Sequence, residues 1–301
     1  MAAGGMAVGV IGLGSMGLGV ARSLVRAGFQ VHGCDTRGDV LESLRREGGL
    51  PAASPAELGA RAEVLVTLVV NADQTEAVLF GPRGAAATLR KGSAVMTSAT
   101  VAPDYAAQVE ERLGRLDLLH LDAPVSGGAA KAAAGELSVM ASGSPEAFEK
   151  CRPLLDAIAA KIYRLGDRSG QGSQVKMINQ LLAGVHIAAA AEAMALCFKT
   201  GVAPEVVYDV ICGSAGASWM FQNRVPHILA GDYTPLSAVD IIVKDLGIVV
   251  DSARKSGLPL PLTAIAHQMF LMASAAGHGC EDDAAVVKVY PGVDLPPAAK
   301  R

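Results

Sequence analysis

The chain has 301 residues, 51% of them hydrophobic, and a formal net charge of −3. That length accommodates two domains of ordinary size, each with its own core, and that apolar content excludes long disorder. The slight acidity, with no Lys/Arg cluster, excludes a general nucleic-acid binder, which needs a basic face.

Val8-Gly9-Val10-Ile11 predicts a short buried strand, Gly12-Leu13-Gly14-Ser15-Met16-Gly17 a turn, Leu18 to Ala27 a helix, and Gln30 to Cys34 a second strand ending at an acid, Asp35. The three glycines act differently. Gly12 permits the bend, Gly14 admits a pyrophosphate to the backbone, and Gly17 lets helix and strand pack closely. A diphosphate would rest on unpaired N–H groups at the positive end of the helix dipole. Asp35 stands about 20 residues beyond the glycines, where a carboxylate accepts from an adenosine ribose. The acid favours NAD over NADP, because it would repel a 2′-phosphate. Arg37 would bind that phosphate if it were not, as expected, a solvated charge in a polar loop with Asp39.

Val64 to Val70 is a near-continuous β-branched run, as in a parallel strand buried on both faces, and Ser93 to Met96, Leu118 to Leu121 and Leu137 to Ala141 predict further strands. Strand, turn and helix alternate to about Leu165, which predicts a doubly wound, mostly parallel sheet over residues 1–167. Residues 168–301 carry no strand signal. Ser173 to Thr200, stopped by Gly201 and Pro204, predicts one long helix, followed by shorter ones over Glu205–Ile211, Val225–Leu229, Val239–Ser256 and Leu262–Ala275. The tail from Val286 to Arg301 is expected to be loosely held. Lys176, Asn179 and Gln180 share one face of the long helix. Buried, they would need a ligand or polar partners; solvated, they would need nothing.

Five cysteines, Cys34, Cys151, Cys197, Cys212 and Cys280, lack metal-ligand or CxxC spacing and predict free thiols in a reducing cytoplasm. No metal is expected. The N-terminal apolar run has no charged leader, which argues against a signal peptide, and prolines interrupt the uncharged stretch Ser256 to Cys280, which argues against a membrane span. An alanine-rich helix too long for one small domain to cover predicts a homodimer or homotetramer.

Together these segments resemble the β-hydroxyacid dehydrogenase family, over nearly the whole chain. Gly9 to Gly17 is similar to its opening signature, Asp122-Ala123-Pro124-Val125-Ser126-Gly127-Gly128 to its substrate segment, Gly170-Gln171-Gly172-Ser173-Gln174-Val175-Lys176 to its catalytic segment, and Lys244-Asp245-Leu246 to a late cofactor-contacting one. The resemblance implies an α/β Rossmann N-terminal domain followed by an all-α C-terminal domain. It implies that Lys176 is the catalytic lysine, that Ser126, Gly127 and Gly128 hold a substrate carboxylate, and that Thr100 and Lys244 touch the nicotinamide half of NAD. Val70 and Asn71 occupy the implied cofactor-lining loop. Without the resemblance, Ser126 to Gly128 would read as an ordinary turn and Thr100 as a helix cap before Pro103.

Two departures from the family bear on the substrate. Gln180 stands where asparagine is common, next to Asn179, and Ala99 stands where serine precedes the threonine. Lys176-x-x-x-Gln180, the run Leu181 to His186 and the run Ser218 to Arg224 resemble the subgroup that oxidises the C2 hydroxyl of a four-carbon sugar acid to a 2-oxo acid. Gln180 and Asn223 would meet additional substrate hydroxyls, and Asn179 and Gln180 would orient substrate and lysine. Lys176 would take the hydroxyl proton, which requires burial to lower its pKa from about 10.4 toward about 7–8. His186 reads as a packed histidine. The alternatives are reduction of tartronate semialdehyde or another small aldehyde acid, oxidation of 3-hydroxyisobutyrate, and a dinucleotide-binding module without chemistry.

Overall fold

In the computed structural model, which describes residues 5–297, β1 (Ala7–Ile11) lies inside a sheet between β2 (Gln30–Cys34) and β4 (Val64–Thr67), parallel to both. β3 (Leu50–Pro51) adds an edge beyond β2, while β5 (Ala94–Thr97) and β6 (Leu119–Asp122) extend the parallel set beyond β4. β8 (Leu137–Gly143) then runs antiparallel to β6 and to β7 (Val125–Ser126), and β9 (Ala159–Gly166) pairs parallel with β8. The strand order reverses between β1 and β4, and the crevice at such a reversal is where doubly wound sheets bind ligands.

Seven helices connect these strands: α1 (Ser15–Arg26), α2 (Gly38–Arg46), α3 (Pro55–Gly59), α4 (Ala72–Phe80), α5 (Pro103–Gly114), α6 (Gly128–Ala134) and α7 (Pro145–Ile158). They cover both faces of the sheet. Val64 and Val66 pack with Leu24, Leu44 and Leu154, whereas Leu65 between them packs with Leu58, Leu79 and Leu113. Two apolar faces with a period of two explain why the strand reads as an unbroken apolar run. The strand expected over Val64 to Val70 nevertheless stops at Thr67. Leu68 still donates to Ile11 O at 2.8 Å, and the chain then turns into α4.

The chain divides into two units, Met1–Lys176 and Met177–Arg301. The helix α8 (Gln171–Thr200) begins in the first and becomes the central helix of the second, where α9 (Pro204–Cys212), α10 (Trp219–Ala230), α11 (Val239–Lys255) and α12 (Pro261–Ala273) follow it. Ile187, Ala191 and Met194 of α8 pack against Phe221, Val225, Ile242, Leu246 and Phe270. Small residues let α11 approach closely: a Cβ on Gly184 would lie 2.8 Å from Leu246 Cδ1. Gly201, at φ +74°, ends α8. By length and composition α8 would span a membrane, but half of its apolar stretch is buried within the protein.

Two expectations for the second unit need correction. The tail expected to be loose over residues 286–301, of which 298–301 lie outside the described residues, begins inside a 3₁₀ helix, Asp283–Val289, in which Ala284 to Val287 are fully buried. Beneath it, Arg224 makes a bidentate pair with the buried Asp283. The second correction concerns α10, which starts at Trp219, not Val225, and contains Pro226. Proline leaves the carbonyl four residues earlier without its helical donor, and that carbonyl, on Gln222, accepts from the Tyr208 hydroxyl at 3.0 Å.

Candidate active site

The turn after β1 is built from backbone. Gly12 adopts φ +86°, and a Cβ there would stand 2.7 Å from Leu68 O; a Cβ on Gly17 would stand 1.8 Å from Gly12 O. At Gly14 the space is open, with Arg37 Nη2 the nearest atom at 4.0 Å. No side chain caps α1 and no acid lies in its first turn, and a cavity of about 280 Å³ lies beside that turn, lined by Leu13, Gly14, Ser15, Arg37, Val40 and Ala129, among others. Met16 lies on the same first turn. Asp35 accepts from Leu13 N at 2.7 Å and from Arg37 N at 2.9 Å. Burial works against its charge, but these bonds outweigh it and hold the carboxyl below its ordinary range. Arg37 is exposed, as expected of a solvated charge, and its Nε lies 3.3 Å from Asp35 Oδ1. An uncapped helix, an open glycine and a carboxylate with spare lone pairs suit a dinucleotide.

Ser126 ends β7, and Gly127 (φ +139°) and Gly128 (φ +76°) turn the chain into α6. These values favour glycine, and a Ser-Gly-Gly turn is the sort of backbone that can bind a carboxylate. α6 is fastened to the dinucleotide helix: Ser23 Oγ donates to Ala132 O at 2.9 Å, and a Cβ on Gly19 would meet Ala133 N at 2.8 Å. Asn71 caps α4 through Gln74 N at 2.8 Å, while Gln74 accepts from Val70 N at 2.9 Å. Val70 is exposed. Thr100 does not cap α5, whose N-cap is Ala102.

Lys176 is 9% exposed, on the second turn of α8. The start of that helix is held by Asp122, which ends β6 and is 1% exposed. Asp122 Oδ2 accepts from Gly170 N and Ser173 N, each at 2.9 Å, and from Ser142 Oγ at 3.2 Å; Oδ1 accepts from Ser173 Oγ at 2.7 Å. Burial pushes this carboxyl up, and the four donors oppose the rise. Two residues earlier on β6, His120 bonds Thr97 Oγ1 at 2.9 Å and Ser169 Oγ at 2.8 Å. Complete burial lowers its pKa to about 3, so the ring is neutral. Sequence reasoning does not find these roles, because the partners lie 20 to 51 residues apart. The one signal is that Asp122 and Gly170 each open a family-like segment.

In the second unit, Asn179 donates to Gln180 Oε1 at 3.0 Å and Gln180 donates to the buried Asp245 at 2.5 Å. Lys244 Nζ forms an ion pair with Asp245 Oδ1 at 2.6 Å. Gln180 and Lys244 thus meet at one carboxylate, and Asn179 joins them through Gln180.

Residues 7–166 match the family model for the NAD binding domain of 6-phosphogluconate dehydrogenase, and residues 170–290 that for the NAD-binding region of NADP-dependent 3-hydroxyisobutyrate dehydrogenase. L-threonate dehydrogenase of Cupriavidus necator is 64% identical, over 97% of this chain and 99% of its own; that of Escherichia coli K12 is 52% identical, over 97% of each. A structure of 3-hydroxyisobutyrate dehydrogenase from Salmonella typhimurium superposes with a TM-score of 0.91 at 53% identity, covering 95% of this chain and all of that one. The chain belongs to the β-hydroxyacid dehydrogenase family, that of 3-hydroxyisobutyrate dehydrogenase, and is an NAD-dependent oxidoreductase acting on the CH–OH group of a hydroxy acid.

Proposed function

We propose that this chain oxidises the C2 hydroxyl of L-threonate to a 2-oxo acid, with NAD as acceptor and Lys176 as general acid and base. The observation that carries the reading is full-length identity of 52–64% to proteins named L-threonate dehydrogenase. The nicotinamide of the bound dinucleotide supplies the hydride acceptor. Lys176, deprotonated at that moment, takes the proton from O2 as the C2–H bond breaks and the carbonyl forms. Ser126 and the N–H groups of Gly127 and Gly128 hold the substrate carboxylate, and Asn179 and Gln180 orient its hydroxyls. Gly12, Leu13, Gly14, Ser15, Met16 and Gly17 bind the diphosphate and Asp35 the ribose, while Val70, Asn71, Thr100 and Lys244 serve the nicotinamide half. Asp35 favours NAD, because its carboxylate would repel a 2′-phosphate.

The test measures NADH absorbance with L-threonate, D-threonate, D-glycerate and 3-hydroxyisobutyrate in parallel, with NAD and with NADP. L-threonate with NAD is expected to exceed 3-hydroxyisobutyrate in kcat/KM by about tenfold to a hundredfold, since a methyl leaves polar groups unpaired at about 1–3 kcal/mol each. Faster turnover of 3-hydroxyisobutyrate overturns the substrate assignment.

The same reading includes a homodimer or homotetramer in the cytoplasm. Its supports are the exposed apolar residues Val206 and Val210 on α9 and Leu262 and Ile265 on α12, and five free cysteines, three of them buried. Light scattering in solution tests the assembly; a monomer at micromolar concentration contradicts it.

A further inference from the structure

We propose that Asp122 is the positioning residue of Lys176: its carboxylate fixes the first turn of α8 against the sheet and so fixes where the amine stands. The proposal rests on Lys176 being the general base. Ser173 and Lys176 are three residues apart, on one face of the helix and one turn from each other. Whatever holds Ser173 therefore sets the height and azimuth of residue 176. Asp122 holds Ser173 through both its N–H and its hydroxyl, at 2.9 and 2.7 Å, and holds Gly170 through its N–H. Ser142 braces the arrangement, donating to Asp122 and accepting from Gly172 N at 2.9 Å.

The packing leaves no slack. A Cβ on Gly172 would meet Met140 O at 2.4 Å and Asp122 O at 2.8 Å, so the helix start rests directly on the end of β6 and the middle of β8. A helix cap alone contributes about 1 kcal/mol. α8 has 30 residues and its later turns are buried in the core of the second unit, so it forms without this cap. Loss of Asp122 should therefore appear as displacement of Lys176, and a displacement of about 1 Å costs about a hundredfold in rate.

The test is a KM-against-kcat comparison of Asp122→Ala, Asp122→Asn and Ser173→Ala, with NAD affinity measured by calorimetry. Asp122→Ala is expected to lower kcat about a hundredfold with NAD affinity within about twofold. Asp122→Asn keeps one oxygen for Gly170, Ser173 N and Ser142 and presents its amide to Ser173 Oγ, so it should restore kcat to within about fivefold of wild type. In a Lys176→Ala background, Asp122→Ala should change the residual rate by less than about twofold, because no amine remains to be misplaced. Wild-type kcat in Asp122→Ala, or a full additive loss in the double variant, overturns the proposal. If Asp122→Ala does not fold, Ser173→Ala decides: a fall in kcat of about threefold to tenfold, the scale of one hydrogen bond, supports it, and unchanged kcat overturns it. Wild-type turnover by Lys176→Ala alone instead defeats the reading of Lys176 as base.

Discussion

Asp35 Oδ2 accepts the backbone N–H of Leu13 at 2.7 Å, tying the end of β2 to the turn after β1. The same carboxylate accepts from Arg37 N and Nε, so one residue orders the turn and, on the proposed reading, would also repel a 2′-phosphate. Asp35→Ser is expected to weaken NAD binding about tenfold and to narrow or reverse the NAD to NADP ratio as Arg37 is released. Fluorescence titration with each dinucleotide checks this, and an unchanged ratio contradicts it.

Gly17 has no room for a side chain, since a Cβ would stand 1.8 Å from Gly12 O. Gly17→Ala must push α1 off the turn. The expected result is about 1–3 kcal/mol lost in urea unfolding, together with loss of measurable NAD binding.

Much of this half of the site is legible in the sequence because it is local. Strand, glycine turn, helix and acid fall within Val8 to Asp35, and each contact spans few residues or a fixed spacing. β9 is not legible: Ala159 to Gly166 carries Lys161 and Arg164 and becomes a strand only by pairing with β8. The burial of Val286 and Val287 is hidden for a similar reason. Three prolines downstream suggest a loose tail, while the contacts that bury these residues come from distant helices. Asp122 is visible as part of a motif but its role is not, because its donors lie 20 to 51 residues away.

His120 is buried and neutral, with a pKa lowered to about 3 from 6.5 by desolvation. Below pH 6.5 the unfolded chain takes up a proton there that the folded chain refuses. The stability from this site is therefore complete above pH 6.5 and is lost progressively as pH falls toward 3, with a slope of at most about 1.4 kcal/mol per pH unit. His120→Gln should flatten that part of the stability curve, measured by urea unfolding from about pH 4 to about pH 7. An unchanged slope contradicts the assignment.

Arg224 is 6% exposed and its pair partner Asp283 is fully buried. Removing one partner strands the other's charge, so Arg224→Met or Asp283→Leu alone should cost about 3–5 kcal/mol. The two together should cost less than either alone. Equilibrium denaturation of the three variants checks this, and additive losses contradict it.

The most direct test of the proton-transfer mechanism is Lys176→Ala, assayed for turnover of L-threonate and, separately, for NAD binding by calorimetry. Turnover is predicted to fall by at least about a thousandfold, the scale of a lost general base, with NAD affinity within about twofold of wild type. Retained turnover, or loss of NAD binding along with activity, would contradict a proton-transferring role for this amine.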